Sequence, residues 1–381
     1  MAKSYICSKI DSSLHLNRLI LTNFKNYAFE QLDFHAGLNC IVGMNGMGKT
    51  NLLDAIYYAC MGKSYFGVND RDIVRQDSDF FRLEAHFERE KKGEKIVVKV
   101  MPRKKKILER NDVAYAKISE HVGLLPVVII APDDTRIATE GSEGRRRFLD
   151  NTLSQIDQQY LRMLIRYNHI LKQRNAALKQ FGEHRKTDPT LLKIYDDQLI
   201  EPGVHLHQKR TAFLEDFGPE LAQTYQLISG EQEQVSCRYQ SALSDRDFQQ
   251  ILLDAREKDL ILQRTTAGPH RDDLDFRIEG RPVKRFASQG QLKSVILSLK
   301  LAQYKILKMK KKLAPILLLD DIFDKLDTER IKHLIQLLVK DEYGQIFITD
   351  THKDRVSEIV TKSGASHQQF AIESGTAKST H

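Results

Sequence analysis

The feature that most constrains this chain is a glycine-rich segment between an apolar run and a helix-forming one. Gly43-Met-Asn-Gly-Met-Gly-Lys-Thr50 follows the apolar residues 37–42 and leads into residues 49–61, which favour a helix. The pattern GxxxxGK[ST] between a strand and a helix is typical of the P-loop, which binds phosphates. The segment therefore predicts an α/β fold built around a phosphate site.

The residue types of this loop suit a triphosphate. Glycines at 43, 46 and 48 let backbone N–H groups turn toward phosphate oxygens, and the helix start adds its dipole. Lys49 would bridge the β- and γ-phosphates, and the Thr50 hydroxyl would bind Mg²⁺. We predict ATP and Mg²⁺ as cofactors; a plain glycine turn is the alternative. The predicted nucleotide-binding residues are Gly43, Met44, Asn45, Gly46, Met47, Gly48, Lys49, Thr50 and Asn51.

A second apolar segment ends in two carboxylates. Ile316-Leu-Leu-Leu-Asp-Asp321 fits the Walker B strand of P-loop ATPases. We predict that Asp320 and Thr50 hold the metal, and that Asp320 and Asp321 are the catalytic residues. Alone, the segment could be a buried strand with a polar end, and the P-loop favours the catalytic interpretation.

A third segment opens another predicted helix. Ala287-Ser-Gln-Gly-Gln291 resembles the signature S-x-G-Q of ABC-type ATPases. A serine hydroxyl, a glycine and a helix start together suit an anion, although an ordinary capped helix is the alternative. The predicted signature residues are Ser288, Gln289, Gly290 and Gln291.

The texture of the chain predicts three parts. Strands are expected in the first 35 residues, as a meander over 80–113 and at 126–131, all within a first ATPase part, 1–134. Long helical patterning predicts an insertion over 135–264, with a joint near Gly182–Pro189. A second ATPase part, 265–381, carries a list of predicted elements: a helix at 289–311, a strand at 316–320, a helix at 328–340 and a strand at 345–350.

Charge and composition narrow the partners. The net charge of +8 and pI near 9.1 are compatible with a polyanion. The start of the chain lacks a secretory pattern and no apolar run could cross a bilayer, so we expect a cytoplasmic protein without a membrane partner. The four cysteines form no CxxC pair, which favours neither disulfides nor zinc. The candidate residues for contacts to the phosphates of a polyanion are Arg145, Arg146, Arg147, Lys104 and Lys105; ion pairs between lobes and solvated turns are the alternatives.

The order of these motifs resembles the SMC and RecF branch of the ABC-type ATPases. Four segments resemble the RecF family itself: Leu21-Thr-Asn-Phe-Lys-Asn-Tyr27, Gly144-Arg-Arg-Arg-Phe-Leu-Asp150, Leu171-Lys-Gln-Arg-Asn175 and Gly268-Pro-His-Arg-Asp-Asp273. The resemblance implies an ATPase lobe, with a mixed sheet, flanking helices and an antiparallel meander, and an inserted, mainly helical lobe. It also implies an ATP-driven homodimer in which the signature completes the partner's site. The implied partners are double-stranded DNA near single-strand junctions, and RecR with RecO and RecA.

The resemblance assigns further residues and a slow reaction. Asp327 lies in the family's D-loop, and His352 is the predicted switch residue, with Thr349 and Asp350 as alternatives. Asp321 stands where ABC-type ATPases usually carry the glutamate that orients the attacking water. Because aspartate is one methylene shorter, we expect weak, DNA-stimulated hydrolysis.

Two other classes stay open at this point. The nucleotide-binding subunit of a transporter would normally have a shorter segment between P-loop and signature, a glutamine loop and a glutamate after Walker B. A P-loop kinase of small molecules would leave the signature and the D-loop unexplained.

Overall fold

The computed structural model describes residues 13–184, 187–230, 233–322, 338, 343–352 and 366–379. The strands are β1 (Leu14–Phe24), β2 (Tyr27–Asp33), β3 (Leu38–Val42), β4 (Phe81–Arg89), β5 (Lys92–Val100), β6 (Ile107–Arg110), β7 (Val113–Ala114), β8 (Val127–Ile130), β9 (Val235–Gln240), β10 (Asp273–Ile278), β11 (Arg281–Pro282), β12 (Ile316–Leu319), β13 (Ile346–Asp350), β14 (His367–Glu373) and β15 (Thr376–Ser379). The helices are α1 (Lys49–Met61), α2 (Asp70–Ile73), α3 (Thr135–Thr139), α4 (Ser142–Ile156), α5 (Gln158–His184), α6 (Pro189–Ser229), α7 (Phe248–Leu262), α8 (Val283–Phe286) and α9 (Gln289–Lys311). Among the described residues, no helix is long and apolar enough to span a membrane.

The described residues fall into two compact units, Met1–Pro132 with Leu307–His381 and Asp133–Ile306. The first division lies close to the predicted boundary at 134. The second lies at 306 rather than at the predicted 264. The physical reason is that β10 pairs with β9, while Val295 and Ile306 of α9 belong to the core of the second unit.

The first unit contains two sheets that share one helix. The antiparallel sheet has the order β2-β1-β4-β5-β6-β7, which confirms the predicted meander. The mixed sheet has the order β15-β14-β3-β13-β12-β8, in which β3, β8, β12, β13 and β14 run parallel. Helix α1 contacts strands of both sheets and is almost entirely buried, because it is apolar on nearly every side.

The register of the mixed sheet brings the predicted motifs to one edge. Val42 pairs with Asp350, and Leu319 pairs with both Ile348 and Ile130. Parallel strands end at the same side of a sheet, so the segments that follow β3, β8, β12 and β13 meet there. This edge positions the site.

The second unit is helical with a small sheet. Helices α4, α5, α6 and α7 confirm the predicted helical patterning, and Thr187 and Asp188, which precede α6, are not helical and fall within the predicted joint. The strand β9, within the segment predicted as helical, was missed. Val235, Cys237 and Tyr239 alternate with polar residues, which is a period of two that the surrounding helices conceal.

Candidate active site

The P-loop has the backbone of a phosphate cradle. Gly46 and Gly48 adopt positive φ angles of 80° and 119°. A Cβ on Gly48 would lie 2.5 Å from the side-chain nitrogen of Asn26, so no larger residue fits. Helix α1 begins at Lys49, and its first turn carries no acidic residue. The free N–H groups of this helix start are therefore open to an anion.

Residues from β2 and the turn before it hold the loop from below. The Asn26 side chain donates to the Met47 carbonyl at 2.9 Å and accepts from Asn51 at 2.8 Å. The Tyr27 hydroxyl donates to the Gly48 carbonyl at 3.0 Å. In the sequence, residues 26–27 belong to the segment 21–27 that resembles the RecF family, and they were given no role at the loop. No spacing pattern connects them to the loop, because the contact depends on tertiary packing.

Asp320 sits at the end of β12 among hydroxyl groups. The Thr50 hydroxyl lies 3.0 Å from both carboxylate oxygens of Asp320, and the Thr349 hydroxyl donates to one of them at 2.9 Å. Burial, and to a lesser extent the neighbouring Asp321 charge, raises the pKa of Asp320 to about 6, against the hydrogen bonds from Thr349 and Thr50. The structure thus brings together Thr50 and Asp320, which are 270 residues apart in the chain.

Lys49 and Asp321 lie opposite each other in the same site. The Lys49 ammonium donates to the Gly43 carbonyl at 2.8 Å and lies 3.8 Å from the Asp321 carboxylate. The Asp321 amide donates to the Thr349 hydroxyl at 2.8 Å, and Asp321 has a positive φ of 43°. Lys49 is 3% exposed, whereas the Asp321 side chain is 21% exposed. Of the two aspartates of the site, Asp320 and Asp321, it is therefore the Asp321 carboxylate that a water molecule can reach.

The Thr50 and Asp320 oxygens fit a magnesium ion. Mg²⁺ prefers octahedral oxygen ligands at about 2.1 Å, so adjacent ligands lie about 3 Å apart. The observed separation of 3.0 Å matches that geometry. Among the described residues, no group of three His, Cys, Asp or Glu side chains is placed to hold a metal. The remaining ligands of such an ion would be phosphate oxygens and water.

The switch region favours a residue that was only an alternative in the sequence. Thr349 is fully buried and contacts both Asp320 and Asp321. His352 is exposed, and its amide donates to the Asp350 carboxylate at 3.0 Å. The role predicted for His352 stays a prediction. Asp327 lies outside the described residues.

The signature forms the capped start of α9 in the second unit. The Gln291 amide donates to the Ser288 hydroxyl at 3.2 Å, and the Ser288 amide donates to the Gln291 side chain at 2.8 Å. This reciprocal pair is a capping box. The Gln291 side chain also donates to Glu233 at 2.6 Å. Ser288 and Gln289 are exposed, so the helix start is accessible from solvent.

The three predicted DNA-binding arginines are not equivalent. Arg145 is buried and makes two hydrogen bonds to Asp273, at 2.6 and 3.0 Å, which favours the ion-pair alternative for this residue. Arg146 is half-buried and donates to the Asp272 carbonyl at 2.8 Å. Arg147 is exposed and pairs with Glu143 along the helix surface at 3.0 Å. Helix α4 turns each successive side chain by about 100°, which a run of three arginines in the sequence hides.

The two predicted lysines lie where phosphates could reach them. Lys104 and Lys105 are both exposed in the turn between β5 and β6. Their neighbour Lys106 instead points inward and pairs with Asp70 at 2.8 Å.

Comparison with known proteins gives the chain a family. The RecF/RecN/SMC N-terminal domain matches residues 15–374. The DNA replication and repair protein RecF of Flavobacterium johnsoniae is 43% identical over 359 residues, which cover 94% of this chain and 99% of that protein. The RecF protein of Cytophaga hutchinsonii is 42% identical over 362 residues, 95% of this chain and 96% of that one.

Solved structures agree with this assignment. The recombination mediator protein RecF with ATP, in the RecFOR pathway, has a TM-score of 0.88 and 29% identity over 97% of this chain and 98% of that chain. The Smc head domain from Pyrococcus furiosus, bound to the C-terminal domain of ScpA, has a TM-score of 0.55 and 16% identity over 96% of each chain, which shows the fold alone. The predicted ABC-type ATPase fold is confirmed.

Proposed function

Because this chain belongs to the RecF family, we propose that it is an ATP-dependent DNA-binding protein of DNA replication and repair. The observation that carries the proposal is the arrangement of Lys49, Thr50 and Asp320 around the P-loop. Relatives named as DNA replication and repair proteins, and a RecF structure with ATP, support it. Family membership also displaces the transporter and kinase alternatives.

The nucleotide would bind through groups that already face the loop. The Lys49 ammonium, now on the Gly43 carbonyl, would turn to the β- and γ-phosphates. The Thr50 hydroxyl and the ionised Asp320 would hold Mg²⁺, which would neutralise the phosphate charge. Thr349 keeps the Asp320 carboxylate in place. Gly46 and Gly48 present backbone N–H groups to the phosphate oxygens.

Hydrolysis would be slow because of the residue at position 321. Asp321 is the exposed acid of the site and would orient the attacking water. Its carboxylate lies 3.8 Å from the Lys49 ammonium, and its side chain is one methylene shorter than that of glutamate. Asp321→Glu is expected to raise the turnover of ATP. An unchanged or lower turnover in that variant, with ATP affinity retained, would contradict the slow-hydrolysis proposal.

A second copy would complete the site. Ser288 and Gln291 form an exposed, capped helix start, which suits a γ-phosphate presented by a partner subunit. ATP would therefore stabilise a two-fold dimer, since it binds the closed state better than the open one. Asp327 and His352 are proposed for the D-loop and the switch. RecR, RecO and RecA are proposed as partners in repair at junctions of single- and double-stranded DNA.

DNA binding would use the sugar–phosphate backbone without reading the sequence. Lys104, Lys105 and Arg147 are exposed and remain candidates for phosphate contacts. We expect the affinity for duplex DNA to fall steeply with salt and to depend little on base sequence.

Mixing two variants tests the composite site. Lys49→Ala removes the P-loop function of one subunit, and Ser288→Arg blocks the signature. Light scattering and duplex binding are expected to show an ATP-dependent dimer for the wild type and none for either variant alone. In an equimolar mixture only mixed dimers would form, and since each of them has one intact site, at most about half of the wild-type ATPase sites would be restored. A wild-type monomer that holds ATP and duplex unaided would overturn the proposal, as would a mixture without recovery.

A further inference from the structure

The nucleotide site leaves one family-specific segment without a role. Gly268-Pro-His-Arg-Asp-Asp273 belongs to the loop 265–273, which joins α7 to β10 in the second unit. We call this segment the anchored loop. Several of its side chains and carbonyls form hydrogen bonds to the surrounding helices.

The first part of the anchored loop is bound through two threonines. The amide and hydroxyl of Thr265 donate to the Asn175 side chain at 2.7 and 2.8 Å. The amide and hydroxyl of Thr266 donate to Asp259 at 2.8 and 2.6 Å. Asp259 is in turn paired with the fully buried Arg174 at 2.6 Å. This end of the loop therefore has little freedom to move.

The centre of the anchored loop packs against α5 and α7. His270 lies between the Tyr167 hydroxyl, 2.7 Å from its Nδ1, and the Thr265 carbonyl, 3.1 Å from its Nε2. Burial lowers the pKa of His270 to about 4, so the ring is neutral and donates to the carbonyl while accepting from the tyrosine. Gly268 has a φ of 124°, and a Cβ there would lie 2.7 Å from the Tyr167 hydroxyl and 2.9 Å from Phe248.

The last part of the loop is held by arginines. Arg210 is buried and donates to the Pro269 carbonyl at 2.7 Å, and Arg146 donates to the Asp272 carbonyl at 2.8 Å. The Tyr239 hydroxyl donates to the Asp272 carboxylate, which also lies 3.4 Å from Arg210. The Asp272 charge is thus directed into the protein rather than toward solvent.

Arg271 is the exception in this loop. It is exposed, and its side chain has no hydrogen bond or ion pair to any residue in the described part of the chain. It lines an open cleft of about 560 Å³ together with Ser241, Ser244 and Thr266. The positive charge of Arg271 adds to burial and to Arg210 in lowering the pKa of Arg146. Arg146 is bound to the carbonyl of Asp272, the residue after Arg271, so both positive charges belong to this end of the anchored loop.

We propose that Arg271 binds a phosphodiester of the DNA backbone in this cleft. A guanidinium matches phosphate oxygens with two parallel hydrogen bonds, and a fixed loop removes most of the ordering cost. Asp245 also lines the cleft, and its carboxylate disfavours a highly charged ligand. The cleft therefore suits the single negative charge of a phosphodiester better than the terminal phosphate of a nucleotide. The inference rests on the proposed DNA binding and adds a contact site to it.

The test compares two arginines of the same unit. Arg271→Ala removes the proposed contact, and Arg162→Ala removes the same charge from an exposed position on α5. Fluorescence anisotropy with duplex DNA and ATP, over a series of salt concentrations, measures both. Arg271→Ala is expected to weaken binding about tenfold and to reduce the salt slope by about one, while Arg162→Ala changes affinity less than about twofold. Arg271→Lys should retain part of the affinity, because it keeps the charge but loses the fork.

Three outcomes separate the possibilities. Equal DNA binding by Arg271→Ala and Arg162→Ala overturns the inference while the proposed function stands. A wild type that does not bind duplex with ATP overturns the proposed function itself. A loss of ATP affinity in Arg271→Ala as large as the loss of DNA affinity would show that the cleft serves a nucleotide phosphate, which overturns the assignment to DNA.

Discussion

The nucleotide site of the first unit and the arginine network of the second both bury charges, but they do so in opposite ways. In the network, Arg174 donates to Asp196 at 2.8 Å and to Asp259 at 2.6 Å, and all three side chains are buried. In the nucleotide site, Lys49 lies 3.8 Å from Asp321 and bonds instead to a backbone carbonyl. In the network, opposite charges bind each other. In the nucleotide site, the charged groups surround the space in which a ligand would bind.

This difference shows which buried charges indicate function. In a buried pair at full hydrogen-bonding distance each charge depends on the other, because removal of one partner leaves an uncompensated buried charge. A buried carboxylate such as Asp320, surrounded by hydroxyls and with its pKa raised to about 6, is costly to keep ionised. That cost falls when a cation binds, so the energy of the site is available for ligand binding.

The largest effect is expected from removing Arg210, the other fully buried arginine of the network in the second unit. Arg210→Ala would leave Asp150 and Asp272, which lie 2.8 and 3.4 Å from the guanidinium, without their buried counter-charge. Loss of one partner of a buried pair costs about 3–5 kcal/mol of the free energy of unfolding. Urea denaturation measures it, with the exposed Arg147→Ala as control at about 0.5 kcal/mol or less. Similar values for the two variants would contradict the structural role given to the network.

The next largest effect should appear in ligand binding rather than in stability. Lys49→Ala is expected to weaken ATP binding about a hundredfold, or about 3 kcal/mol, while the free energy of unfolding changes little. Lys25→Ala is the matched control, since Lys25 is a half-buried lysine that pairs with the buried Asp54 at 2.6 Å beneath the same helix. It should lower stability and leave most ATP affinity. Calorimetric titration measures the ATP affinity of both variants, and urea denaturation measures their free energy of unfolding. If both variants lost ATP affinity and stability to the same extent, the distinction between ligand-binding and structural charges would be refuted.

More residues of the candidate nucleotide site than of the arginine network could be named from the sequence. Local motifs specify Lys49, Thr50 and Asp320, because the chemistry requires these residue types at the ends of strands and helices. Arg145, by contrast, looked like a surface cation, and only the pairing with Asp273, 128 residues away, shows that it is structural.

Two contacts that the sequence did not indicate share one cause. Asn26 holds the P-loop from the turn between β1 and β2, and Thr349, named from the sequence only as an alternative switch residue, orients Asp320 from β13. Neither contact leaves a periodic or spaced signal in one sequence, since both arise when sheets assemble. The strand β9 was missed for a similar reason, because it is stabilised by pairing with β10 beyond the next helix.

Replacement of a buried aspartate by asparagine should change the free energy of unfolding in opposite directions in the two regions. The pKa of Asp320 is higher in the folded protein than in an unfolded chain, so the folded state binds its proton more tightly between about pH 4 and pH 6. Raising the pH through this interval therefore removes stability. Asp320→Asn should stabilise the nucleotide-free protein by roughly 2 kcal/mol at pH 7, and the gain should vanish near pH 4.

The counterpart is Asp259→Asn in the network. Asp259 is fully buried and pairs with Arg174 at 2.6 Å, so its neutralisation should cost about 2 kcal/mol at pH 7. Urea denaturation across pH 4 to 8 measures both variants. Destabilisation by Asp320→Asn at pH 7 would show that the site is as well balanced as the network, and the comparison would fail.

The smallest effect concerns the support of the P-loop. Asn26→Ala would remove the hydrogen bonds to Met47 and from Asn51, and we expect ATP affinity to fall about fivefold, or about 1 kcal/mol, with kcat nearly unchanged. Asn111→Ala is the matched control. The Asn111 side chain also makes two hydrogen bonds, to Glu94 and from an amide of β5, but in a turn of the meander. It should reduce stability without changing ATP affinity. Equal ATP affinities for the wild type and Asn26→Ala would mean that the loop keeps its shape by its glycines alone.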